Sequence, residues 1–129
     1  MEFDKIKEGI KGERRIIVDE TTSAAKSIPG AEVFSTPALV ELMELSCYHS
    51  VQDKLPEGYT TLGTFINLKH IKATPIGDEV KAICELVSVD GKKLEFSVEA
   101  FDSEGKIGEA RHGRYIINGK KFFASVVRK

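Results

Sequence analysis

The sequence predicts an α+β fold in which an antiparallel sheet wraps around one long central helix. Two observations support this prediction. A segment near residues 36–55 has a helical pattern that is apolar over most of its surface, and the chain after it shows the alternation and turn residues of consecutive strands. A helix with so wide an apolar arc has to be enclosed, and a curled sheet can enclose it.

The chain begins with a segment of weak pattern and a short strand. Residues 1–12 are expected to be a frayed lead-in, and the apolar end of the run at residues 13–18 predicts the first strand. Residues 19–30 are mostly polar or small, which is typical of a loop.

The central helix is predicted to start with Thr36 as N-cap and Pro37 in the first helical position, and to end near Leu55. Its apolar residues spread around most of the helix: Leu39, Val40, Leu42, Met43 and Leu45. Its polar residues form one narrow stripe: Glu41, Glu44 and Tyr48. We therefore expect most of the helix to be buried.

Everything after the helix is predicted to be strand: residues 60–71, 80–89, 93–102 and 107–117, with 122–127 as a candidate last strand. The dipeptide Asp90-Gly91 predicts a tight type I′ hairpin, because glycine accepts a positive φ. Two-residue alternation in the first of these strands puts five residues on one face: Leu62, Thr64, Ile66, Leu68 and His70.

One enclosed helix followed by an antiparallel meander is the hotdog architecture, and we expect residues 1–129 to form a single domain of this kind. One layer of sheet leaves its outer surface and its edge strands partly uncovered. Pairing with a second copy covers them, so a homodimer is predicted.

The composition excludes several classes of partner. Lysine plus arginine number 19 and aspartate plus glutamate 20, so no net field attracts nucleic acid or an anionic membrane. The charged N-terminal residues lack the apolar stretch of a signal peptide, and the two cysteines form no C-x-x-C pair. We expect a cytoplasmic protein without a metal site or a nucleic-acid or membrane partner.

Six blocks, with the spacing between them kept, resemble the fluoroacetyl-CoA thioesterase family: residues 32–44, 61–64, 70–77, 89–91, 107–108 and 112–114. The likeness extends over roughly residues 13–127. It implies a hotdog homodimer that hydrolyses a small acyl-CoA, with coenzyme A as part of the substrate and no separate cofactor.

The resemblance also implies roles for five residues. Thr36, Glu44 and His70 fall on the family's catalytic threonine, glutamate and histidine. Gly63 falls on the glycine that contacts substrate and coenzyme, and Arg114 on the arginine that contacts substrate.

The chain departs from the family in the loop before the helix. Ser27 and Gly30 stand where the fluoroacetyl-specific enzyme has aromatic lid residues, so we expect no strong preference for a fluorinated acyl group. His112 shares a strand face with Arg114 and borders the predicted site, without an assigned role.

Each of the five residues also has an ordinary structural explanation. Thr36 could be a helix cap and Glu44 part of a solvated stripe. His70 could be a satisfied core histidine, Gly63 a bulge residue and Arg114 an exposed strand residue.

Spacing along the helix limits how the trio could meet. Thr36 and Glu44 are eight positions apart, which is roughly 12 Å along a helix. Either a third group bridges them or the neighbouring subunit supplies one member, so a site at the dimer interface is predicted.

Two other functions fit the same fold. A hotdog hydratase or dehydratase usually pairs an aspartate with a histidine, but no aspartate lies between Asp19 and Asp53. A non-catalytic acyl-CoA binding or sensing module would keep Gly63 while needing neither Glu44 nor His70.

Overall fold

The computed structural model describes residues 3–128. Its helices and strands follow in chain order: β1 (Lys11–Ile17), α1 (Thr36–Gln52), β2 (Tyr59–His70), β3 (Glu79–Asp90), β4 (Lys93–Asp102), β5 (Gly105–Asn118) and α2 (Gly119–Ser125). Two 3₁₀ turns, Glu20–Thr22 and Ala24–Lys26, lie in the segment predicted to be a loop.

The five strands form one antiparallel sheet in the order β1-β3-β4-β5-β2, so β1 and β2 are its edges. Helix α1 packs on one face of this sheet. Its buried residues, which include Leu39, Met43 and Cys47, form one cluster with the helix-facing residues of the strands. The predicted α+β hotdog arrangement is confirmed.

Small residues let α1 approach the β1 edge of the sheet closely. A Cβ on Gly12 would lie only 2.7 Å from Ser50 Cβ and 2.8 Å from the Ser46 carbonyl oxygen. The Cys84 thiol is 3.4 Å from the same carbonyl. Cys47 and Cys84 are therefore both enclosed where the helix meets the sheet, and both are free thiols.

The expectation of a frayed lead-in over residues 1–12 is wrong for residues 3–12, and residues 1 and 2 lie outside the described part of the chain. Ile6 is only 5% exposed and belongs to the core. Gly9 donates a backbone hydrogen bond to Leu86, and Leu86 donates one to Ile10, each at 2.8 Å. These bonds extend the β1–β3 pairing toward the N-terminus, which holds the segment on the sheet.

The start of α1 differs by one residue from the prediction. Ser35, not Thr36, is the N-cap, because its hydroxyl accepts the Ala38 N–H at 3.2 Å. Thr36 is instead the first helical residue. The Thr36 hydroxyl is therefore not used in capping the helix.

A β-bulge in β2 changes which side chains face the helix. Gly63 pairs with Arg114 and Phe65 with Gly113, so the register shifts between residues 63 and 65. Alternation is interrupted at the bulge, and Ile66 and His70 lie on the same face as Gly63. The predicted grouping of Leu62 and Thr64 with His70 is wrong for this reason.

Two turn predictions are also corrected. Gly91 has a φ of 61°, but no non-glycine residue described has a positive φ, so the hairpin has the φ pattern of a type II′ turn. Residues 122–127 do not extend the sheet. Asn118 accepts the Lys121 N–H at 3.1 Å and caps α2, which turns the chain into a helix.

Within residues 3–128, no helix combines the length and the apolar character needed to cross a membrane.

Candidate active site

The fold brings Thr36 and His70 into direct contact. Thr36 Oγ1 lies 2.8 Å from His70 Nδ1, although the two residues are 34 positions apart in the chain. Thr36 is in the first turn of α1, and His70 is the last residue of β2. The contact joins a hydroxyl to a ring nitrogen that can accept its proton.

The surroundings of His70 favour its neutral form. Burial lowers the pKa of His70, and the nearby Lys72 carbonyl partly opposes this shift. If Nδ1 accepts from Thr36, the ring proton sits on Nε2. Nε2 is buried and has no hydrogen-bond partner among residues 3–128.

Glu44 lies in a second cluster, beside Gly63 on β2. A Cβ on Gly63 would be 3.0 Å from Glu44 Oε2, 3.2 Å from His112 Cε1 and 3.5 Å from Arg114 Nη1. Gly63 is therefore the point at which three polar side chains converge. A larger residue there would displace at least one of them.

Arg114 is buried and firmly held, which contrasts with the exposed strand residue considered above. Its Nε donates to Thr61 Oγ1 at 2.7 Å, and its Nη2 donates to the Thr61 carbonyl at 2.9 Å. The Tyr48 ring lies 5.6 Å from the guanidinium carbon, within cation–π range. Burial lowers the pKa of Arg114, but a guanidinium remains charged.

Thr36 and the second cluster line two neighbouring grooves along the polar stripe of α1. The first groove has a volume of about 750 Å³ and is lined by Thr36, Ser27 and other residues of the loop before α1. The second, of about 630 Å³, is lined by Glu44, Gly63 and Arg114. Glu41 borders both grooves. Within one chain, Thr36 therefore contacts His70, whereas Glu44 lies beside Gly63 and Arg114.

Sequence reasoning gave no role to three residues that the structure brings into the second cluster. His112 is fully buried and bonded to Arg114, and both Tyr48 and Phe123 line the groove of Glu44. Alternation along β5 pointed to His112, and the polar stripe pointed to Tyr48. Phe123 was missed because its segment was expected to be a strand.

No group of three or more metal-ligating side chains is present in the described part of the chain.

A family model described as fluoroacetyl-CoA-specific thioesterase matches residues 18–120 of this chain. The match spans α1 and four of the five strands, and with them both clusters. The chain belongs to the fluoroacetyl-CoA-specific thioesterase family.

Similarity to individual members of the fluoroacetyl-CoA-specific thioesterase family extends over most of the chain. A fluoroacetyl-CoA thioesterase from Streptantibioticus cattleyicolor is 41% identical over 98 residues, which are 76% of this chain and 70% of that protein. A solved variant of the fluoroacetyl-CoA thioesterase FlK, in complex with acetyl-CoA, superimposes with a TM-score of 0.87 at 32% identity. The superposition covers 94% of this chain and 96% of that one.

The fold is shared more widely than the family. A thioesterase superfamily member from Thermus thermophilus has a TM-score of 0.87 at 24% identity, over 93% of this chain and 90% of that one. This likeness concerns the hotdog fold alone.

Proposed function

We propose that this chain, an acyl-CoA thioester hydrolase, acts on a small acyl-CoA at a site shared by two copies of the chain. The contact that supports the proposal best is the one of 2.8 Å between Thr36 Oγ1 and His70 Nδ1 at the start of α1. A hydroxyl held against a neutral imidazole is suited to attack on a thioester carbonyl.

In the proposed reaction, His70 Nδ1 takes the proton of the Thr36 hydroxyl, or of a water molecule that Thr36 orients. The oxygen attacks the carbonyl carbon and forms a tetrahedral intermediate with a negative oxygen. The positive end of the α1 dipole lies beside Thr36 and favours that charge.

As the C–S bond breaks, the imidazolium of His70 gives its proton to the departing coenzyme A thiolate, and the water route releases the acid directly. In the Thr36 route the acyl group is left on Thr36 as an ester. His70 then takes a proton from a water molecule that attacks this ester, and the proton returns to the Thr36 oxygen as the acid leaves.

Glu44 enters this scheme from the second copy. His70 Nε2 is enclosed within its own chain, so the partner's Glu44 is proposed to orient the attacking water rather than to contact this nitrogen. In its own chain Glu44 lies in the second groove, beside Gly63. A two-fold partner presents its own Glu44 to the water beside Thr36 in this proposal, and the edge strand β2 is the surface we assign to the contact between the copies.

Gly63 and Arg114 are proposed to place the substrate. Arg114 lines the second groove and directs a fixed positive charge toward it. Gly63 keeps the space next to that charge open. Together they would hold the carbonyl and the coenzyme arm relative to Thr36 of the composite site.

The first test is turnover of a panel of acetyl-, propionyl- and fluoroacetyl-CoA, followed by release of the free coenzyme thiol. We expect turnover by the wild type, loss of turnover in Thr36→Ala, and retention of a substantial part in Thr36→Ser, which keeps the hydroxyl. Tight binding of every acyl-CoA without any turnover would instead indicate a binding or sensing module. In a separate assay with crotonyl-CoA, loss of the double bond without thiol release would indicate a hydratase.

A second test concerns the fluorinated acyl group. Ser27 lines the groove of Thr36 without an aromatic side chain, and Gly30 has a φ of 84°, which disfavours an aromatic residue there. We therefore expect kcat/KM for fluoroacetyl-CoA to stay within about tenfold of that for acetyl-CoA. A preference of several orders of magnitude would show that other residues build the lid.

A further inference from the structure

His112 occupies an unusual position in the second cluster. It is fully buried on the helix-facing side of β5, and its ring lies 6.4 Å from that of Phe96. Its Nδ1 is 2.8 Å from the Phe65 carbonyl oxygen, and its Nε2 is 3.1 Å from Arg114 Nη1. Both ring nitrogens are therefore engaged.

These two contacts determine the tautomer of the ring. A carbonyl oxygen only accepts, so Nδ1 has to carry a proton. A guanidinium only donates, so Nε2 has to be the unprotonated acceptor. The imidazole is thus neutral, with its proton on Nδ1, the opposite arrangement to that of His70.

The charged groups around His112 fit this assignment. Burial lowers the pKa of His112, the Arg114 charge lowers it further, and the Phe65 carbonyl and the Glu44 charge oppose the shift. A second proton on the ring would place an N–H against an N–H of Arg114.

Arg114 depends on this acceptor for its direction. A guanidinium has five N–H groups. Thr61 accepts from Nε and Nη2 along one edge of the group, and His112 accepts from Nη1. These contacts hold the guanidinium from two sides and so fix its orientation. One N–H of Nη1 and one of Nη2 are left for a ligand in the groove of Glu44.

We propose that His112 is a positioning residue that directs the Arg114 guanidinium toward the acyl-CoA by accepting one of its N–H groups. The β2 bulge contributes to this arrangement, since the carbonyl that fixes the ring belongs to Phe65, a residue of the bulge. The inference rests on the proposed function in one respect, namely that Arg114 contacts the substrate.

The tautomer is tested without any turnover, by nitrogen-15 NMR of the imidazole groups in the full-length protein, with His112→Asn used to assign the signals. We expect His112 to show a protonated Nδ1 and an unprotonated Nε2, and to stay neutral when the pH is lowered to about 6, below the ordinary histidine pKa of about 6.5. A proton on Nε2 at neutral pH would overturn the proposal, whether or not the protein hydrolyses any acyl-CoA.

The role in positioning is tested by a substitution series and a double-mutant cycle. His112→Gln keeps an acceptor near the position of Nε2, His112→Asn keeps only a donor near Nδ1, and His112→Phe keeps only the ring. We expect the asparagine and phenylalanine variants to lower kcat/KM for acetyl-CoA at least tenfold, mainly through KM, and the glutamine variant to recover most of it.

In an Arg114→Ala background, His112→Asn should change kcat/KM less than about twofold, because the group it positions is gone. If the loss is equally large in both backgrounds, His112 does not act through Arg114. If no variant or wild type turns over a substrate, the same cycle is measured on acetyl-CoA affinity by calorimetry. Additive losses of affinity would again overturn the proposal.

Discussion

The Thr36 hydroxyl is available for chemistry because its neighbour performs the task of capping. Ser35 accepts the Ala38 N–H, so the first turn of α1 is satisfied without Thr36. Thr36 can then donate to His70. Of two adjacent hydroxyl residues, Ser35 therefore caps the helix and Thr36 contacts His70, and the sequence alone does not show which residue has which contact.

At this scale we predict that His70→Ala lowers kcat for the best acyl-CoA by about 100-fold or more, the usual scale for a general acid–base group. His49→Ala is the matched control, because His49 is an exposed histidine of α1. The measurement is steady-state turnover of both variants with equal folded content. Near wild-type turnover of His70→Ala would remove this residue from the mechanism.

A second prediction concerns stability against pH. Burial lowers the pKa values of His70 and His112 in the folded protein, so below the unfolded value of about 6.5 the unfolded chain binds more protons. Stability is therefore complete above that pH and falls as the pH decreases toward the folded pKa values.

Urea unfolding at pH 7.5 and 5.5 measures this effect. We expect a smaller difference in the free energy of unfolding between the two pH values in His112→Phe than in wild type. An equal difference in the two proteins would contradict the assignment of a buried, neutral His112.

At the scale of elements, local patterns predicted the strands and the helix well, because burial on one face imposes a period on the sequence. The β2 bulge had only a weak signal, because Gly63 was one candidate bulge residue and the adjacent apolar pair Phe65-Ile66 breaks the two-residue alternation. The structure adds a packing reason, since a Cβ on Gly113 of β5 would clash with the Phe65 ring. The grouping of Thr36 with His70 came from the family resemblance alone. The periods of a helix and of a strand do not show which residues of the two elements lie close together.

Helix α2 supplies an element-scale prediction. Phe123 lines the groove of Glu44 and Arg114, whereas the adjacent Phe122 is not part of that lining. If the substrate occupies the groove, Phe123→Ala should raise KM for acyl-CoA severalfold, because apolar surface that covers the ligand is lost. Phe122→Ala is the matched control and should leave KM near wild type. Equal KM values in the two variants would place the ligand elsewhere.

At the scale of the whole molecule, one chain holds two incomplete arrangements of the predicted trio. Thr36, which lines one groove, contacts His70, and Glu44 lies with Arg114 in the next groove. The separation was expected from the spacing along α1, whose geometry follows directly from sequence. Spacing along α1 could not show whether His70 lies next to Thr36 or next to Glu44, because this depends on where β2 ends relative to the helix.

The proposed sharing of the site between two copies makes a prediction about mixtures. Thr36→Ala and Glu44→Ala should each be inactive as pure proteins. Heterodimers of the two, formed by unfolding and refolding together, should regain activity. One of their two sites combines the intact Thr36 of the Glu44→Ala chain with the intact Glu44 of the Thr36→Ala chain.

The measurement is thiol release by isolated heterodimers carrying two different affinity tags, with each pure variant refolded in parallel as the control. The expected recovery is up to about half of wild type, one site in two. Inactive heterodimers would show that the trio is assembled within one chain.

The two enclosed thiols allow the separation of α1 from the sheet to be measured by cysteine labelling. Cys47 on α1 and Cys84 on β3 are each at most 1% exposed, on the two surfaces that meet under the helix. A maleimide can reach them only when the helix lifts from the sheet, so their labelling rate measures how often that separation occurs. Slower labelling in the presence of acyl-CoA would show, without any engineered cysteine, that ligand binding holds α1 against the sheet.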